Sequence, residues 1–100
     1  MNITNDFQKL LKIVARNGAP DILFSLNKEK MQFSHLMFKT RLNPGVLNRH
    51  LKALMGLGIV EKVDGKYTLT ETGKKLTLIL KELIDLTNDK DNKDKLLNFK

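Results

Sequence analysis

Cysteine is absent from this chain. That one absence removes disulfides, thiolate zinc sites and thiol redox sensing together, and it suits a reducing compartment. No apolar run approaches the ~20 residues that a helix needs to span a bilayer, and the opening MNITNDFQKL lacks the charged-then-apolar layout of a secretory leader. A cytoplasmic setting with no membrane partner is therefore expected. Internal repeats are also lacking, and acidic residues are scarce, 11 Asp and Glu against 18 Lys and Arg. The resulting formal charge of +7 on 100 residues attracts polyanions, nucleic acid before anionic membrane.

The content that remains, 41% hydrophobic and 29% charged, is that of an ordinary globular protein with one core. The basic excess lies in the middle of the chain. Between Lys28 and Lys75 ten cations stand against four anions, Glu29, Glu61, Asp64 and Glu71. Phe7, Leu10, Leu11 and Val14 recur at helical spacing and predict an amphipathic helix over 5–16, ended by Asn17-Gly18. Pro20 suits the first turn of a mostly buried helix over 20–27. Met31-Gln32-Phe33 permits a minimal strand, and Ser34 is a natural cap for a short helix carrying Leu36, Met37 and Phe38 inward or to a flank.

The segment over 44–56 carries the most information. Asn43 can cap a helix whose first residue is Pro44, where a missing amide proton costs nothing. With successive residues 100° apart, Leu47, Leu51 and Leu54 fall in one inward stripe with His50 beside it. Gly45, Asn48, Arg49 and Lys52 gather on the opposite side. Gly56 and Gly58 stop the helix, and a hairpin over 59–70 follows, turning at Asp64-Gly65 with Tyr67 and Leu69 on one face. Thr70 can cap a last helix over 71–86. Its Leu76, Ile79, Leu80 and Leu83, broadened by Ile84, Leu78 and Leu86, offer more apolar surface than one small domain needs.

Helix, short helix, three-residue turn, helix, hairpin, helix is the order of a winged helix-turn-helix, a mainly α fold with a small β-hairpin wing. One domain is expected over 1–87, with a polar tail over 88–100 whose Leu96, Leu97 and Phe99 form an apolar tip. A helix enters the major groove when its outward side chains reach base edges without bulk in the way. Gly45, Asn48, Arg49 and Lys52 satisfy that condition along one stripe. Arg49 is the candidate for guanine, Asn48 for adenine or a phosphate, and Lys52 for phosphate. Arg41 joins the DNA-binding candidates, the amide groups near Asn43 would hold a phosphate, and Lys62 and Lys66 flank the hairpin turn, where the backbone or minor groove would lie. The expected partners are double-stranded DNA and a second copy of the chain, joined through Leu76, Ile79, Leu80, Leu83 and Ile84.

The run LNPGVLNRHLKALMGLGIVEK, followed by YTLTETGKKL, resembles the winged-helix transcriptional regulators of the ArsR, MarR and HxlR type. In those families a recognition helix of similar form leads through G-L-V or G-I-V into the wing. The resemblance covers about residues 31–80. It implies dimeric operator binding and a recognition helix in which Asn48 and Arg49 read DNA. Arg41 stands where the ArsR-type turn often has glycine, Asn43 and Asn48 replace serines, and the wing is shorter than the HxlR pattern. Without cysteine, the thiolate-metal and thiol sensing of such families is closed to this chain, and any effector acts by another route.

Readings from other classes need different features. A winged-helix protein interaction module without specific DNA binding would use the same faces. An enzyme would need a nucleophile with its base, a metal cluster or a phosphate-cradling glycine loop, and the sequence offers none. His35 and His50 have neither cysteine nor carboxylates at ligand spacing, so no metal and no cofactor are expected, and His50 should flank the core and hydrogen-bond locally.

Overall fold

The computed structural model describes residues 3–89. Five helices and one hairpin follow in the order α1 (Ile3–Val14), α2 (Ala19–Lys28), α3 (Phe33–Thr40), α4 (Pro44–Gly56), β1 (Val60–Val63), β2 (Lys66–Leu69) and α5 (Glu71–Asn88). The tip expected at Leu96, Leu97 and Phe99, with all of the tail from residue 90, lies outside the described residues.

One core joins these elements. Ile22 and Leu23 of α2, Leu36 of α3, and Leu47, Leu51 and Leu54 of α4 are all at most 1% exposed. Each such side chain contributes about 1.5–3 kcal/mol by leaving water. The hairpin closes one side of this core. Tyr67 and Leu69 point inward, and the antiparallel register sets Val60 opposite Leu69 and Val63 opposite Lys66. Asp64 (φ 52°) and Gly65 (φ 78°) both take the left-handed backbone that a two-residue turn needs to match strand twist.

The possible strand at Met31 is a single antiparallel bridge to Tyr67, with N–H to O distances of 3.0 and 2.7 Å. This bridge holds the chain extended through Gln32, so α3 starts at Phe33 and Gln32, not Ser34, occupies the cap position without a side-chain bond. The expected cap at Ser34 is thereby corrected. Of the three apolar residues expected inward or on a flank of α3, Leu36 is buried and Phe38 is 79% exposed. In α1, Ile13 and Val14 are buried and Leu10 packs half-buried against the core, whereas Phe7 and Leu11 stay exposed.

Two contacts fix the helices around the core. Gly18 (φ 95°) opens α2, and a Cβ there would come within 2.7 Å of the Leu42 side chain, so the α1–α2 turn packs directly on the turn before α4. Gly73 in α5 lies so close to Ile59 that a Cβ would strike the Ile59 carbonyl oxygen. Thr70 reinforces this junction. Its hydroxyl donates to the Gly58 carbonyl at 2.6 Å and accepts from the Gly73 N–H at 3.0 Å, so one side chain caps α5 and ties it to the end of α4.

Candidate nucleic-acid interface

Asn43 sets the start of α4: its backbone is extended and its side-chain oxygen accepts the Val46 N–H at 2.9 Å. Pro44 takes the first helical position, and the first-turn amide groups therefore open on an exposed surface with a partial positive charge. From there the period of the helix separates two faces. Leu47, His50, Leu51 and Leu54 are buried, while Gly45, Asn48, Arg49 and Lys52 are exposed. All four candidates of the stripe thus share one solvent-facing side.

Among the described residues, no carboxylate takes up the cations of this surface. Among the described residues the ion pairs join Glu29 to His35, Glu71 to Lys74 and Lys81 to Asp85, and none involves Arg41, Arg49, Lys52, Lys62 or Lys66. Arg41 has a further peculiarity. It closes α3 in the left-handed region (φ 61°, ψ 21°), donating its N–H to the Met37 carbonyl at 2.9 Å. That backbone costs a residue with a Cβ about 1–2 kcal/mol, which glycine would not incur. Its side chain borders an open groove of about 790 Å3 with Ser34, Met37, Phe38, Lys39, Leu42 and Asn43.

On the wing, Lys62 is exposed with its ammonium 5.2 Å from the centre of the Tyr67 ring, a cation–π contact that holds its stem over the hairpin. Lys66 is half-buried and borders a hollow with Glu29, Gln32 and His35. The two lysines, on either side of the turn, therefore differ in freedom.

His50 corrects the expected local bond. It is 7% exposed, and its Nε2–H donates to the Asn17 carbonyl at 2.9 Å, tying α4 to the α1–α2 turn across 33 residues of sequence. This tie also brings in a residue the sequence did not single out. Arg16 borders the same hollow as Val46, Arg49 and His50, so a basic residue of the α1–α2 turn stands beside the exposed cationic face of α4. No periodicity within α4 could have signalled it, because the neighbour comes from another part of the chain.

The apolar candidates on α5 lie on a separate surface. Leu76 and Leu80 pack half-buried against the core, whereas Ile79, Leu83 and Ile84 are 53%, 47% and 39% exposed. Leu11 of α1 and Pro20 of α2 face Leu83 and Ile84 across a cleft of about 400 Å3. Among the described residues no group of three or more metal-ligating side chains gathers, and no helix is long and apolar enough to cross a membrane.

This arrangement has relatives. An uncharacterized HTH-type transcriptional regulator of Methanocaldococcus jannaschii is 31% identical over 100 aligned residues, covering 91% of this chain and 94% of the relative. Among solved structures, quinone-bound YodB from B. subtilis has a TM-score of 0.78 at 21% identity, over 84% of this chain and 97% of that one. HlyU from Vibrio cholerae has a TM-score of 0.65 at 26% identity, over 83% and 97% of the two chains. The homodimeric winged helix-turn-helix DNA-binding domain Mb0332 from Mycobacterium bovis has a TM-score of 0.70 at 19% identity, over 83% and 82%. The family model described as winged helix-turn-helix matches residues 19–88, a span that contains α2 to α5 with the exposed polar face of α4, and the chain belongs to that family.

Proposed function

We propose that this chain, a DNA-binding transcriptional regulator of the winged-helix kind, reads duplex DNA by laying α4 in the major groove with the β1–β2 wing on flanking backbone. One observation carries the reading: Gly45, Asn48, Arg49 and Lys52 form a single exposed face, opposite a leucine stripe that is fully buried, with no carboxylate among the described residues paired to its cations. A glycine at the start allows close approach, and the amide, guanidinium and ammonium behind it match base edges and phosphates.

The working unit is a homodimer in the cytoplasm. Ile79, Leu83 and Ile84 of α5, with Phe7 and Leu11 of α1, expose apolar surface, and the cleft shared by Leu11, Leu83 and Ile84 includes no residue of α4; a second copy is the partner that would cover it. Two reading helices then fall in successive major grooves about 34 Å apart on a pseudo-palindromic site. Fluorescence anisotropy against duplex DNA over a range of salt tests the reading. If two protomers neutralise roughly eight phosphates, log K falls against log salt with a slope of about −7. A slope near zero, or no protection of the protein's own upstream DNA in a footprint, would overturn it.

A further inference from the structure

Among the large hydrophobic side chains of the described residues left in water, Phe38 is the most exposed, at 79%, and the groove it borders shares no residue with the cleft between α1 and α5. Its neighbours are cationic. The groove it borders runs between α3 and the start of α4, with Lys39 and Arg41 on its rim and Asn43, the cap of α4, at its end. Among the described residues no acidic side chain lines it. Ser34, Phe38 and Arg41 follow at positions i, i+4 and i+7, so they share one side of α3 continued into its cap. Arg41 ends α3 in the left-handed backbone common at helix C-termini, its N–H bonded to the Met37 carbonyl, and its side chain is left at the groove.

We infer that this groove seats one sugar-phosphate strand of the duplex, with the Arg41 guanidinium on a phosphate and the Phe38 ring packed on the adjoining deoxyribose. The inference rests on the DNA-reading role of α4 and extends it to α3. Its occupant follows from two properties of the groove: its rim carries only positive charge, and it is continuous with the start of the helix that enters the major groove. In a helix-turn-helix the first helix crosses the backbone, and a backbone strand presents alternating anionic and apolar groups. A cation beside an aromatic ring matches that alternation. A deoxyribose contact is blind to sequence, so Phe38 adds affinity equally at every site.

The two residues leave different signatures in one experiment, anisotropy titration of the full chain with a mixed-sequence duplex over a range of salt. Phe38→Ala is expected to weaken binding about fivefold to tenfold at every salt concentration, as removal of a partly buried ring does, with the salt slope unchanged. Phe38→Leu should recover most of that affinity. Arg41→Gly should lower the slope by about 0.9 for each Arg41 that neutralises a phosphate, with a melting temperature equal to or above that of the parent. Phe38 is exposed, so its variants should melt as the parent does, and circular dichroism checks this. Unchanged affinity for Phe38→Ala beside a parent that binds with its normal slope overturns the inference alone, and so does a Phe38→Ala effect that varies with salt. A parent that shows no salt-dependent binding overturns the inference together with the DNA-reading role of α4.

Discussion

Helices α4 and α5 are both amphipathic, yet they spend their side chains in opposite ways. Over its 13 residues α4 buries leucines at 47, 51 and 54 in its own domain and leaves polar and cationic groups outward. Over its 18 residues α5 fully buries only Gly73 and Thr77 and leaves Leu78, Ile79, Leu83, Ile84 and Leu86 exposed. Small residues inward allow close approach to Ile59, where Gly73 sits, and Thr77 satisfies its buried hydroxyl by donating to the Gly73 carbonyl at 2.7 Å. The first helix has finished its packing within the protomer, and the second has large apolar groups still to cover. That difference separates a surface suited to a charged polymer from a surface suited to an apolar partner.

The sharpest way to break this contrast is to cut into α4 from within. Leu51→Ala should cost about 2–5 kcal/mol in urea unfolding, because the cavity left between rigid helices cannot fully collapse. A change under ~1 kcal/mol would mean that the inward stripe is not the anchor described. In α5 the sensitive position should be the glycine. Gly73→Ala is expected to destabilise by about 3 kcal/mol, since its Cβ meets a backbone carbonyl that no rotamer can move, and a melting temperature equal to the parent's would show that α5 is free to shift.

Outward changes should separate the two helices further. Leu83→Glu is expected to weaken self-association by about 2 kcal/mol or more through burial of an unpaired carboxylate, with helical content retained. Sedimentation showing a dimer as tight as the parent would place the interface between copies elsewhere. Arg49→Ala should relax preference at one base position by about 1–3 kcal/mol while leaving the fold intact. Competition among single-base variants of the footprinted site measures it, and an equal effect on all sequences would reassign Arg49 to the backbone. The smallest effect belongs to the wing. Lys66→Ala should weaken binding to all sequences alike and reduce the salt slope by about 0.9 for each phosphate left without its lysine, and an unchanged slope would remove Lys66 from the interface.

Much of α4 was readable in advance because everything that shapes it is local. Asn43 and Pro44 set the start, a period of 3.6 sorts leucine from arginine, and Gly56 and Gly58 sit at its end. The Asp64-Gly65 turn is equally local, since two left-handed residues between β-branched and aromatic runs admit little else. Ser34 misled for the complementary reason. Its chemistry suits a cap, but the bridge between Met31 and Tyr67, 36 positions apart, decided where α3 begins. Phe38 looked like a residue for the core or its flank, and only the placement of α3 against α2 showed that its position points to water.

What the amino-acid order determined by itself was the set of elements, their limits to within a residue or two, and the polar face of α4, because caps, turns and periodicity act over a few residues. Tertiary structure decided which faces meet: that His50 reaches Asn17, that Arg16 stands beside Arg49, and that α5 turns glycine and threonine inward. Those outcomes depend on how closely two backbones can approach, which is a property of pairs of segments distant in the chain and is carried by neither segment alone.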